Sequence, residues 1–189
     1  MILPIYLYNH PVLRRPAQPV TSVNDDIISL AENMLETMRN ANGIGLAANQ
    51  VGQPHAMIVV DISDVEDGER TPPLCLLNPR IIAASDAMEE YEEGCLSVPG
   101  IREIVVRPAA VTVEYDDLEL HHHRIEAEGL LARVLQHETD HLSGVYFFER
   151  ISPMRRTLLK SKLKKLERGS GIECSYPFVH PLVQKITAS

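Results

Sequence analysis

Apolar residues recur at helical spacing in three stretches of the chain. In DDIISLAENMLETMRN (25–40), Ile27, Ile28, Leu30, Ala31, Met34, Leu35 and Met38 gather on one side of a 3.6-residue repeat, and Asn24 stands where a cap is needed. In GLLARVLQHETDHL (129–142), Leu130 and Val134 share a stripe that Leu131, Leu135 and Leu142 widen. Ser152 and Pro153 then open a third helix running to about Arg168, with Leu158, Leu159, Leu163 and Leu166 facing inward. Strand-like runs lie between the first two: AMIVVDI (56–62), CLLNPRII (75–82), EIVVRPA (103–109) and VTVEYDD (111–117). The order predicts an α+β domain in which antiparallel β-sheets surround a central helix, with one helix N-terminal and one C-terminal to it.

The central helix spends its last turns on ionisable groups. His137 and His141 are four residues apart, so they sit one above the other on the stripe that Leu130 and Val134 define. A buried imidazole needs a partner for each nitrogen, and a metal ion supplies one. The motif H-E-x-x-H therefore reads as a metal-binding pair with Glu138 as a general base; satisfied core histidines are the alternative. A third histidine at the metzincin spacing is excluded, because Phe147 occupies that position.

Two residues compete for the third ligand. Glu167 ends the charged stretch RRTLLKSKLKKLERG, which resembles a solvated face. Cys95, in YEEGCLSVPG, follows a glycine and precedes a turn, a context that suits a thiol held by rigid backbone. A structural buried thiol is its other reading. Cys75 looks like a small apolar strand residue and Cys174 lies in the tail, so the three cysteines form no C-x-x-C pair and no disulfide framework.

Composition narrows the class. With 189 residues and 44% hydrophobic content the chain can bury one full core. A net charge of −8, with basic residues clustered only at 155–168, gives no nucleic-acid-binding motif. Apolar runs are too short to span a membrane, and MILPIYLYNHP has neither signal-peptide nor transit-peptide character, so a cytoplasmic protein is expected. HHH at 121–123 reads as a solvated turn, since neighbouring strand residues alternate faces and cannot chelate one ion together.

GIGLAANQVG (43–52), EGCLS (93–97) and QHETDHLSG (136–144) resemble, in order and spacing, the three signature motifs of peptide deformylase. The resemblance runs from about Ile5 to Leu166 and gives out after Gly169, which predicts one catalytic domain over 1–168 and a tail, 169–189, of unassigned role. It implies a metal-dependent hydrolase that removes the N-formyl group from formyl-methionyl nascent peptides near the ribosome exit. Cys95, His137 and His141 would hold one divalent ion, Fe(2+) natively, with Zn(2+), Ni(2+) or Co(2+) able to substitute, and would leave a fourth position open.

Without the resemblance, Gly43 and Gly45 could be no more than a helix cap and a turn. With it, they free the backbone of 43–46 to pair with a peptide, and the Gln50 amide becomes a donor to a developing oxyanion. The resemblance adds the backbone amide of Leu96 as second donor. It places Ile44, Tyr91, Leu130 and Val134 around a pocket for the methionine side chain, and puts Gly94 and Arg133 with the substrate-binding residues.

Overall fold

The computed structural model describes residues 1–65 and 71–185. In chain order the elements are β1 (Ile5–Tyr6), α1 (Asp25–Asn40), β2 (Gly45–Ala47), β3 (Met57–Val60), β4 (Leu74–Ala84), β5 (Met88–Gly94), β6 (Arg102–Pro108), β7 (Ala110–Asp116), β8 (His122–Glu128), α2 (Gly129–Leu142), α3 (Pro153–Glu167), β9 (Phe178–Val179) and β10 (Gln184–Lys185). A five-stranded antiparallel sheet has the order β2-β3-β4-β7-β8. β5 and β6 form a separate antiparallel pair, and β1-β9-β10 a small third sheet in which β1 and β9 run parallel. No helix among the described residues is long and apolar enough to cross a membrane.

The run Met57–Val60 explains the layering. Its four side chains are all buried, so the strand is covered on both faces. Met57 and Val59 pack with Leu30, Met34 and Met38 of α1, whereas Ile58 and Val60 pack with Leu131, Val134 and Leu135 of α2. A third cluster joins Leu159, Leu163 and Leu166 of α3 to Val105 of β6 and to Tyr146–Phe148. The central helix thus lies against the large sheet, with α1 on the sheet's other face.

Helix ends follow local chemistry. The Asn24 side chain accepts from the Ile27 amide at 3.1 Å, and Ser152 accepts from the Arg155 amide at 3.3 Å. α1 closes with Asn42 at φ 53°, the Gly43 amide donating to the Met38 carbonyl and the Asn42 amide to the Arg39 carbonyl. That is a Schellman cap with asparagine, not glycine, in the left-handed position. Gly129 (φ 56°) lets β8 turn directly into α2 with no intervening loop.

Several inward assignments need correcting. Leu158 is 73% exposed and Ile28 39%, while Leu35 is half-buried. Each sits at the border of its apolar stripe, and the covering layer ends before reaching it. β5 and β8 were not expected as strands, and β4 extends to Ala84. The HHH stretch falls at the β7–β8 hairpin, with His121 in the turn and His122 and His123 exposed on β8.

Candidate active site

The last turns of α2 meet the end of β5 beneath the cap of α1. Ligand atoms of Cys95, His137 and His141 all lie within 4.8 Å of one another. Cys95 Sγ is 3.2 Å from His141 Nε2. Among the described residues the other metal-capable trio, Asp117, Glu119 and His121, lies in a mostly exposed turn in which the Asp117 carboxylate accepts from the turn's own backbone amides. Glu167 lies elsewhere, its carboxylate accepting from the Tyr8 hydroxyl at 3.3 Å.

What fixes the imidazoles lies one layer deeper. His137 donates from Nδ1 to Glu93 Oε2 at 2.8 Å, which turns its Nε2 to the trio as the atom that would meet an ion. Glu93 also accepts from Arg107 (2.7 and 3.0 Å) and from Arg133 Nη1 (2.9 Å). Arg107 continues to Asp140 at 2.7 Å, and Arg150 grips Asp140 from the other side. Burial alone would raise the Glu93 carboxyl, but His137 and Arg107 hold it far below the usual carboxylate range. Burial likewise lowers His137, yet neighbouring Cys95 and Glu93 override it and lift the imidazole to about 10, while burial and His137 together push His141 well below its ordinary value. One thiol, two imidazoles and a nearby carboxylate form a donor set that attracts positive charge, and a divalent ion fits it.

Glu138 is 5% exposed, and its Oε2 has no hydrogen-bond partner among the described residues. Burial raises this carboxyl to about 7, with His137 pulling the other way. Its Oε1 lies so close to β2 that a Cβ on Gly45 would stand 2.5 Å from it and 2.7 Å from Val134 Cγ1. Only a glycine at 45 admits the carboxylate there.

Gln50 follows β2 in a short 3-10 turn, Ala48–Val51. The Ala47 amide donates to its Oε1 at 2.8 Å, so Nε2 points to Ser97 Oγ (3.1 Å) and Cys95 Sγ (3.5 Å). The amide is thereby held in one orientation. Leu96 makes no backbone N–H hydrogen bond among the described residues.

A cavity of about 910 Å³ opens over these groups. Its wall includes Gly43, Ile44, Gly45, Gln50, Tyr91, Gly94, Cys95, Leu96, Leu130, Arg133, Val134, His137 and Glu138. His141, 1% exposed, lies behind that wall. Arg133 reaches the cavity but is buried, donating to the Glu89 and Val105 carbonyls as well as to Glu93. The sequence reading missed the ion-pair roles of Arg107, Asp140 and Glu93. Glu93 and Asp140 stand inside quoted motifs, a signal that could have found them; Arg107 carries none. It also missed Glu173 and Tyr176 of the tail, which line the same cavity.

The sequence matches the family profile described as polypeptide deformylase over residues 2–157. A peptide deformylase of Salinibacter ruber is 45% identical over 186 residues, covering 95% of this chain and 95% of its own. One of Rhizobium meliloti is 45% identical over 170 residues, covering 90% and 97% respectively. Among solved structures, a peptide deformylase from Synechococcus elongatus in complex with actinonin shares 42% identity and a TM-score of 0.79, over 90% of this chain and 89% of that one.

Proposed function

The chain belongs to the polypeptide deformylase family, and on that premise we propose that Cys95, His137 and His141 hold its metal ion while Glu138 moves the proton. The enzyme is a peptide deformylase, a metal-dependent hydrolase that removes the N-formyl group from newly made polypeptides and releases formate. The observation that carries the residue assignments is a buried carboxylate with an unpartnered oxygen beside a Cys-His-His trio.

When bound, the ion supplies Lewis acidity and one coordination position beyond its three protein ligands. Ferrous iron is the native ion in this reading, with zinc, nickel or cobalt as substitutes, because which ion occupies one N/S donor set follows availability as well as affinity. Glu138 accepts the proton of the attacking water, and its carboxyl at about 7 suits it to return that proton to the departing amine. As the formyl carbon becomes tetrahedral, the Gln50 amide and the Leu96 backbone amide donate to its oxygen. The bond from the formyl carbon to nitrogen then breaks, leaving formate and a free α-amine.

The formyl-methionyl peptide lies along residues 43–46, where β2 is an edge strand. Its first side chain enters the space between Ile44, Tyr91, Leu130 and Val134, with Gly94 and the buried Arg133 shaping the rim. Residues 1–168 supply the metal ligands, the base and both oxyanion donors, with Glu173 and Tyr176 of the tail completing the cavity wall, and the substrates are nascent chains met in the cytoplasm near the ribosome exit.

The test is formate release and metal content of protein purified without air. Glu138→Gln should keep the metal and lower kcat by roughly 10² to 10⁴. Acetyl-Met-Ala-Ser, one methyl larger at the reacting carbon, should react at least ~10-fold more slowly than formyl-Met-Ala-Ser. Near-normal turnover of the Gln variant would remove Glu138 from the mechanism.

A further inference from the structure

Nothing in the sequence assigned a role to residues after Gly169, yet part of that tail reaches the catalytic loop. Tyr176 is 6% exposed, and its hydroxyl donates to the Leu96 carbonyl at 2.7 Å across 80 residues of sequence. Cys174 is the hydroxyl's other hydrogen-bonding neighbour.

The loop that Tyr176 grips has all three of its carbonyls held. Cys95 O accepts from the Val98 amide at 2.9 Å, closing a turn, and Ser97 O accepts from the Tyr8 amide at 2.7 Å. Leu96 O is held by the Tyr176 hydroxyl. The Leu96 side chain packs so near Gly43 that a Cβ there would stand 2.8 Å from Leu96 Cδ1. Leu96 is therefore fixed at its side chain and carbonyl, while its N–H makes no hydrogen bond among the described residues and the residue lines the cavity.

The tail is itself anchored to the strand that holds this loop. The Ile5 amide donates to Pro177 O at 2.9 Å and the Leu7 amide to Val179 O at 2.8 Å, on either side of the β1–β9 pairing. The next residue, Tyr8, is the one that holds Ser97.

We propose that Tyr176 is a positioning residue for the reaction: its hydroxyl holds the peptide plane after Leu96 while the Val98 amide holds the plane before it through the Cys95 carbonyl, so that together they fix the Leu96 backbone and aim its N–H at the developing oxyanion. This rests on the reading of that amide as an oxyanion donor. Deleting such a donor outright costs about 10² to 10³ in kcat, so misaiming one of two should cost less.

The experiment compares wild type, Tyr176→Phe and Gln50→Ala, each loaded with zinc to full occupancy and assayed on formyl-Met-Ala-Ser well below its melting temperature. Tyr176→Phe should lower kcat by roughly 5- to 30-fold, with KM within twofold and metal content unchanged. The Leu96 backbone amide resonance should shift in the same variant. A kcat within twofold of wild type, an unmoved Leu96 resonance, or loss of metal would each overturn the proposal, the last because the tail would then act on the ligand set. Gln50→Ala tests the underlying reading and should lower kcat by ~10² or more. If Gln50→Ala is impaired and Tyr176→Phe is not, only the role of Tyr176 falls. If Gln50→Ala turns over normally, the oxyanion assignment falls and takes this inference with it.

Discussion

At the scale of single residues, the site is shaped by what is missing as much as by what is present. Gly45 carries no Cβ, and that space is taken by Glu138 Oε1. Gly45→Ala would drive a methyl to 2.5 Å from that oxygen and 2.7 Å from Val134, both on the buried face of α2, so one of them must move. Overpacking of this kind costs about 1 to 3 kcal/mol, and displacement of the base should lower kcat by more than the stability loss explains. Urea titration beside a formate assay measures both, and unaltered kcat would show that Glu138 tolerates the shift. Cys75 illustrates the opposite case, a thiol made inert. Partial burial in β4 raises it from 9.0 to about 12. The fold favours the neutral thiol, so this contribution to stability is complete below the unfolded thiol's value and is lost as pH rises toward 12. At pH 8 the native thiolate fraction is on the order of 10⁻⁴, and iodoacetamide should spare Cys75 until the chain unfolds. Peptide mapping that finds Cys75 alkylated in the native protein at pH 8 would refute its burial as the controlling factor.

At the scale of elements, the sequence is most legible where a stripe and a cap agree. α1 begins after Asn24 and α3 after Ser152, as their side chains require, and both ends of α2 lie within one residue of the apolar pattern. Strands were legible when apolar. β5, MEEYEEG, and β8, HHRIEAE, were not, because most of their side chains face solvent and only pairing with β6 and β7 makes them strands. Cys95, His137, His141 and Glu138, which the structure brings together, were legible because the roles proposed for them demand rare side chains at fixed spacing. The buried Arg107–Asp140 pair was not, since an arginine in a strand usually means a solvated face. The stripe also overstated how deeply α3 is covered. Leu159 is 5% exposed and packs near Phe147, whereas Leu158 is 73% exposed. Leu159→Ala should cost about 2 to 5 kcal/mol and Leu158→Ala no more than about 0.5 kcal/mol. Equal losses in chemical denaturation would mean that Leu158 is covered in solution.

At the scale of the whole molecule, the enzyme is closed by the part of the chain that carries no motif. The family profile ends at residue 157, but β9 pairs with β1, and Tyr176 and Phe178 join the cluster beneath α1. Residues 186–189 lie outside the described residues. Phe178 is 6% exposed and packs with Ile5 and Leu7 from the opposite end of the chain, so the tail contributes to the core that supports β2 and Gln50. Phe178→Ala removes a buried ring that is not itself part of the cavity wall, and it keeps the Tyr176 hydroxyl. The loss should be about 3 to 5 kcal/mol, the usual range for emptying an aromatic site. For a chain of this length that corresponds to roughly 6 to 20 °C in Tm, by calorimetry at fixed metal occupancy. Turnover of the folded fraction at low temperature should stay within about twofold of wild type, because the ring of Phe178 is not part of the cavity wall. A Tm within about 2 °C of wild type would mean that the tail is no part of the cooperative unit, and that the domain ends where its motifs do.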